Sequence, residues 1–124
     1  MKSVGTIDID KFKLISTDIA SDEVILTEKQ IMHIKENHPG DYENYGKYIP
    51  QIIKTPDYIL EANLPHSAVL LKSFHENDRR FQLVLRLKIS SDPREYKNSV
   101  ITFMRINNKR YERYLRARKI LYKA

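Results

Sequence analysis

The segment "RFQLVLRLKI", residues 80–89, alternates apolar and polar side chains with a period of two. Five alternate positions are apolar, and the positions between them include the basic residues Arg86 and Lys88. Successive side chains of a β-strand point to opposite faces of the sheet. The pattern therefore predicts a strand with one buried face and one partly solvated face, as is common in antiparallel sheets.

Three further segments of the same half of the chain predict strands. They are "DYILEANL" at 57–64, "SAVLLKSFH" at 67–75 and "SVITFMRI" at 99–106. Each is short and apolar and is bounded by residues that favour turns. The polar stretch "ENDRR" at 76–80 is typical of a hairpin connection. Together these segments predict a run of antiparallel strands.

Two helices are predicted before these strands. The segment "TEKQIMHIKENH" at 27–38 begins with Thr27 and has Gln30 three places on, which is the pattern of a capping box. Pro39 disfavours helical geometry at the residue before it, so this helix should stop there. A second helix is predicted at about residues 45–54, where apolar side chains recur with helical spacing.

The closing segment "NKRYERYLRARKILYKA", residues 108–124, predicts an amphipathic helix. Helices and strands are largely segregated along the chain, which favours an α+β fold. We therefore expect one domain over residues 1–124, with N-terminal helices packed on an antiparallel sheet of about four strands and a C-terminal basic helix. The basic stripe expected on the outside of that helix consists of Lys109, Arg113, Arg116 and Lys123.

The composition is that of a globular protein, with 41% hydrophobic and 31% charged residues among 124. There is no cysteine, so disulfides and thiolate metal sites are excluded and a reducing cytoplasm is compatible. No segment has the apolar length of a signal peptide or a membrane span, so we expect a cytoplasmic protein without membrane attachment.

The net charge of +6 is divided unevenly between the two halves of the chain. Residues 1–62 carry a balance of −4, and residues 63–124 carry +10. A basic half of this size favours a polyanionic partner, most often nucleic acid. The alternative is a solvated cationic surface without a nucleic-acid partner.

Two of the four histidines, His33 and His38, lie five residues apart in "HIKENHP". Helical metal ligands lie three or four residues apart, so that both rings face one ion. We therefore expect no metal site and no cofactor. Two interpretations remain open for these histidines: capping or packing residues at a helix end, or an acid–base pair.

Acid–base chemistry without a metal is known from RNA cleavage, in which the substrate's own 2′-hydroxyl attacks the phosphate. Histidine suits both proton transfers because the imidazole pKa in water is about 6.5. Basic and hydroxyl side chains suit the phosphate. Side chains of these types interrupt the apolar strand segments at Lys72, Arg86, Ser99, Thr102 and Arg105. A solvated sheet face would account for them equally well.

Several segments, in this order, resemble a known group of nucleases. They include "ILTEKQIMHIKENHP" at 25–39, "IIKTPDYILEA" at 52–62, "NSVITFMRI" at 98–106 and "KILYK" at 119–123. Over about residues 24–123 the chain resembles the small nuclease domains of phages and mobile elements that are grouped with barnase, EndoU, the tRNA-cutting colicins and RelE. The resemblance implies a compact α+β fold of the BECR type and metal-independent cleavage of RNA, in some members of tRNA.

The resemblance also implies a catalytic set made of the helix histidines, a strand Lys or Arg, and a Ser or Thr near the last strand. On this basis His38 is the expected general base or acid, and His33 is its partner or the residue that orients it. The other members of the expected set are Lys72 and Arg86 on the scissile phosphate, Ser99 and Thr102 as hydrogen-bond donors, and Arg105 beside the pentacoordinate phosphorus.

The leading hypothesis is a small metal-independent endoribonuclease, acting as a toxin or phage effector on RNA. The alternative is a non-catalytic nucleic-acid-binding module of a phage or mobile element, which needs the basic helix but not the histidines. A third interpretation, compatible with the first, is that the cationic face binds an acidic immunity or antitoxin protein.

Overall fold

A computed structural model describes residues 2–124, and its central feature is a single sheet of seven strands. The strands are β1 (Lys2–Thr6), β2 (Glu23–Leu26), β3 (Tyr58–Glu61), β4 (Ser67–Phe74), β5 (Arg79–Arg86), β6 (Asn98–Ile106) and β7 (Ile120–Lys123). The α-helices are α1 (Glu28–Asn37), α2 (Asp41–Tyr45), α3 (Ile49–Lys54) and α4 (Asn108–Ala117). Short 3₁₀ turns occupy Ile9–Phe12, Gly46–Tyr48 and His75–Asn77.

The strands follow the spatial order β1-β2-β6-β5-β4-β3-β7. Neighbouring strands are antiparallel throughout, except that β2 runs parallel to β6. The fold is therefore α+β with a mixed sheet. The most strongly alternating segment of the sequence forms β5, which lies at the centre of the sheet.

The expected architecture of about four antiparallel strands with N-terminal helices was wrong. β1 and β2 precede α1 in the chain, so the helices are not N-terminal, and the β2–β6 pairing makes the sheet mixed. The predicted C-terminal helix ends at Ala117, and β7 continues from it to pair with β3. β1, β2 and β7 are four or five residues long, and each is stabilised by its place in the larger sheet: β2 pairs with the nine-residue β6, β1 pairs with β2, and β7 pairs with β3.

Two hydrophobic cores cover the two faces of the sheet. α1, α2 and α3 cover what we call the α1–α3 face, where Phe81 stacks on Phe103 with ring centroids 5.5 Å apart. α4 covers part of the opposite face, which we call the α4 face, through Tyr111. The residues of β5 alternate between the faces, so that Phe81 and Leu83 point to the first core and Val84 to the second.

The start of α1 shows only one half of the predicted capping box. The backbone N–H of Gln30 donates to the Thr27 hydroxyl at 3.2 Å, as expected for an N-cap. The Gln30 side chain instead donates to the carbonyl of Ile101 in β6, at 3.3 Å. The glutamine therefore ties the helix to the sheet.

Of the helices in residues 2–124, none combines the length and apolar character that crossing a membrane requires.

Candidate functional site

A row of three polar side chains crosses the three central strands of the sheet near one end of those strands. Ser67 of β4 pairs with Arg86 of β5, and Arg86 pairs with Ser99 of β6. Directly paired residues point to the same face, and Arg86 shares its face with Val84, two residues earlier, on the α4 face. Arg86 and Ser99 are partly exposed, whereas Ser67 is buried. The row therefore forms a polar floor beside the apolar area that α4 covers.

Thr102 belongs to the same floor because of a β-bulge. The β5–β6 register shifts between Val84 and Leu85, so Val84 pairs with Thr102 and Leu85 with Val100. The bulge adds one residue to β6 and reverses its alternation. As a result the hydroxyls of Ser99 and Thr102 lie on one face although they are three residues apart.

Arg86 is held in place by Asp92, in the loop after β5. The two guanidinium nitrogens donate to the two carboxylate oxygens, each at 3.2 Å, and Arg86 also donates to the carbonyl of Leu87. The backbone N–H of Ile89 donates to Asp92 at 2.9 Å. This amide first, and the Arg86 guanidinium next, hold the pKa of Asp92 below its usual 3.8. The fork-to-fork pair fixes the orientation of the arginine.

His66, immediately before β4, lies at one end of this row. Its backbone is left-handed, with φ of 56°, and its carbonyl accepts from the Leu87 N–H at 2.7 Å. Its Nδ1 is buried, and within residues 2–124 it has no hydrogen-bond partner. A protonated His66 is close enough to contribute to the lowered pKa of Asp92. An imidazole with strained backbone and an unpaired nitrogen marks a candidate functional position.

α4 and the residue that caps its C-terminus bring two arginines to one tyrosine on the α4 face. The guanidinium carbons of Arg110 and Arg118 lie 5.6 and 5.5 Å from the centroid of the Tyr114 ring. Arg110 also donates to the Tyr114 hydroxyl at 3.3 Å, and its buried Nε has no partner among the described residues. Arg118 donates to the Glu61 carbonyl at 3.3 Å, beyond the end of the helix. These cations add positive charge along the helix that borders the floor.

The structure brings together three of the predicted catalytic residues, Arg86, Ser99 and Thr102, and it places Lys72 and Arg105 elsewhere. Lys72 and Arg105 both pair with Phe81, so their side chains lie on the α1–α3 face. The Lys72 ammonium donates to the Thr55 carbonyl at 2.6 Å and to Asp57 at 3.2 Å, which makes it a clamp between β4 and the end of α3.

Arg105 lies near α2. Its guanidinium donates to the Tyr45 hydroxyl at 3.0 Å, and its backbone N–H donates to Asp41 at 3.0 Å. Arg79 lies on the same tyrosine ring, with its guanidinium carbon 5.1 Å from the centroid. This second cationic cluster is separate from the Arg86 row.

The two predicted catalytic histidines lie with the helices. α1 packs on the α1–α3 face through Ile31 and Ile34, and His33 is exposed on its other side. α1 ends at Asn37, and His38 caps it, with its backbone N–H donating to the Ile34 carbonyl at 2.8 Å. Both histidines are therefore on the layer opposite to Arg86.

The predicted nucleic-acid-binding stripe is exposed, but it spans two elements. Lys109, Arg113 and Arg116 lie on the outer side of α4, and Lys123 lies on β7. Sequence reasoning missed Arg110 of the same helix and Arg118, the residue that caps its C-terminus. Their spacing of four residues on each side of a tyrosine was a signal that could have identified them. His66 had no comparable signal, because its left-handed backbone is visible only in the structure.

Across residues 2–124, no group of three or more His, Asp or Glu side chains is arranged to hold a metal ion.

The polar row on a central antiparallel part of an α+β sheet, bordered by a basic helix, is an arrangement suited to a phosphate backbone. In agreement with this, residues 1–123 match the family of phage Barnase-EndoU-ColicinE5/D-RelE like nucleases, second group (PBECR2). The chain belongs to this nuclease family. Searches of curated proteins and of solved structures found no match.

Proposed function

We propose that the chain is a metal-independent endoribonuclease. In the proposed reaction a 2′-hydroxyl of the RNA substrate attacks the adjacent phosphate. The observation that carries the proposal is the row of Ser67, Arg86 and Ser99 on a partly open sheet face, with His66 at its end. Membership of a nuclease family supports a phosphodiester substrate. RNA, and cleavage without a metal, are the specific parts that experiment must test.

Arg86 is the proposed ligand of the scissile phosphate. A guanidinium presents five N–H donors, of which Asp92 occupies two and the Leu87 carbonyl one. The remaining donors, together with the hydroxyls of Ser99 and Thr102, suit non-bridging phosphate oxygens. Their role would be to stabilise the extra charge that develops in the pentacoordinate transition state.

His66 is the proposed proton-transfer group of this site. In the reaction the 2′-oxygen forms a bond to phosphorus and loses its proton to a base. The bond from phosphorus to the 5′-oxygen then breaks, and that oxygen receives a proton from the protonated base, which leaves a 2′,3′-cyclic phosphate and a 5′-hydroxyl. His66 precedes Ser67, the strand partner of Arg86, and its charge acts on Asp92, the ion-pair partner of Arg86. His38 and His33 would serve only if the phosphate bound on the helical layer.

The test is incubation of the purified protein with RNA in EDTA, with analysis of the product ends. We expect cleavage with 2′,3′-cyclic phosphate ends, a loss of about 100-fold or more in His66→Ala, and little change in His38→Ala. His75→Ala is the matched control, because His75 is an exposed histidine in the turn between β4 and β5. A loss in His38→Ala but not in His66→Ala would move the site to the helices. Absence of cleavage would refute the reaction.

A second candidate is a non-catalytic nucleic-acid-binding module, and the exposed stripe of α4 favours it. Three cations on one side of a helix could follow a phosphate backbone without any chemistry. RNA binding that weakens steeply with salt, without cleavage by the wild type, would select this candidate.

We further propose that the protein acts in the cytoplasm as a phage effector or toxin, where RNA is abundant. An acidic inhibitor protein is the expected partner, because the +10 balance of residues 63–124 would attract it. Isolation of the protein in complex with an acidic neighbour-encoded protein would support this part of the proposal.

A further inference from the structure

A cavity of about 350 Å³ lies at the end of the sheet that carries the Arg86 row. His66 and Ser67 line it, and Ser67 is the direct strand partner of Arg86. The loop between β3 and β4 forms one side of the cavity. The cavity therefore adjoins the proposed site through His66 and Ser67, and its volume is within the range of small-ligand pockets.

Two exposed leucines border this cavity from different parts of the chain. Leu14 follows the first 3₁₀ turn, and Leu64 lies in the β3–β4 loop. They are 73% and 67% exposed, the largest values among the exposed large hydrophobic residues of the described chain. Pro65 and Leu121 add further apolar surface. Two solvated apolar side chains beside one cavity suggest a flat apolar ligand between them.

The rim of the cavity carries polar groups suited to the edge of such a ligand. The Asn63 side-chain oxygen accepts from Arg118 at 3.2 Å, which orients the amide. Glu61 and Lys119 also lie on the rim, and they offer an acceptor and a cation. Apolar faces with donors and acceptors around the edge are the properties of a nucleobase.

We infer that this cavity binds one unpaired nucleobase of the RNA whose phosphate lies on Arg86, an inference that rests on the proposed function. The left-handed backbone of His66 gives the loop the turn that places Leu64 and His66 on the same cavity. A base can enter only if it is not stacked and paired in a helix. The substrate class is accordingly single-stranded RNA, or an RNA loop with a base turned outward.

The experiment measures binding, so that it does not depend on cleavage. The probes are a tetranucleotide of 2′-O-methyl RNA and the same sugar–phosphate chain without bases, titrated by fluorescence anisotropy. The wild type should bind the intact probe at least about tenfold more tightly than the abasic probe. In the double variant Leu14→Ala, Leu64→Ala this preference should fall to about threefold or less.

Met32→Ala is the matched control, because Met32 is 61% exposed on α1 and does not line the cavity. It should retain the full preference for bases. Unchanged thermal unfolding of all variants would show that the substitutions act on binding. A wild type without base preference, or a double variant that keeps it, would overturn the inference.

The two proposals fail in different ways. If the protein cleaves RNA but its base preference does not depend on Leu14 and Leu64, the proposed reaction stands and the inferred base site is refuted. If binding depends on the bases and on the two leucines but no RNA is cleaved, the inferred base site stands and the proposed reaction is refuted.

Discussion

Replacing Arg86 with alanine should reduce both stability and activity, by different amounts. Arg86 is 34% exposed and Asp92 13% exposed, so their ion pair is partly screened. A pair of this kind contributes about 1 kcal/mol, and the bond to the Leu87 carbonyl adds a similar amount at most. We therefore expect the free energy of unfolding to fall by about 1–2 kcal/mol, which corresponds to a decrease of roughly 3–8 °C in Tm.

The expected loss of activity is larger than the loss of stability. If Arg86 stabilises the phosphate in the transition state, its removal should lower kcat by about 100- to 1,000-fold, as for the loss of one oxyanion donor. Arg86→Lys keeps the positive charge but not the paired donors, and its activity should lie between the two. The measurements are urea unfolding and cleavage of a fluorescent RNA in EDTA, at a temperature at which every variant is folded.

The variant Asp92→Asn separates the structural role of Arg86 from its catalytic role, because it breaks the ion pair and keeps the arginine. It should lose about the same stability as Arg86→Ala, and the double variant should lose little more, because both changes break the same pair. Its activity should remain within about tenfold of the wild type. The assignment of Arg86 to the phosphate would be refuted if Arg86→Ala cleaved RNA within threefold of the wild-type rate.

Three other predictions test the surroundings of the site. Asn98→Ala should lower the free energy of unfolding by about 3 kcal/mol in a urea titration, because the buried Asn98 donates to two carbonyls and accepts from the Lys88 N–H, all of which would lose their partner. The stability difference between wild type and Asp92→Asn should be constant above about pH 5 and shrink as the pH falls below 3.8, because a lowered pKa keeps the folded carboxylate ionised to lower pH than the unfolded one. Arg113→Ala with Arg116→Ala should weaken RNA binding and reduce the slope of log K against log salt by up to about 2, whereas an unchanged slope would place the RNA elsewhere.

The sequence pattern predicted strands in the segments that form β3, β4, β5 and β6, and it predicted the start of α1. It did not predict the number of strands in the sheet or their order. β5 carries apolar side chains at the alternate positions Phe81, Leu83 and Leu85, and this period of two is a local signal of a strand. β7 has only four residues, and its Leu121 and Tyr122 fit a helical stripe as well as a strand. Its pairing with β3 is a contact between distant parts of the chain, which local periodicity cannot reveal.

The sequence predicted Arg86, Ser99 and Thr102 as members of one site, but it wrongly grouped Arg105 with them. The bulge in β6 explains where Arg105 lies. Without a bulge, Ser99 and Arg105 would share a face by strict alternation, and Thr102 would point away from them. The shift of register near Ile101 instead groups Ser99 with Thr102 and turns Arg105 toward α2. A single inserted residue cannot be placed from the side-chain pattern alone, because both registers bury apolar residues on the two covered faces.

The face of the sheet on which the phosphate binds decides which histidine can transfer a proton. A general base must approach the reacting oxygen to about 3 Å, and packed layers are about 10 Å apart. A phosphate on Arg86 therefore requires a proton acceptor close to Arg86, and His66 lines a cavity together with Ser67, the strand partner of Arg86. A phosphate on Arg105 would require one on the helical layer, where His38 ends α1. Because the sheet separates the two arrangements, loss of activity in His66→Ala and Arg86→Ala together, with Arg105→Ala unaffected, would assign the chemistry to the α4 face.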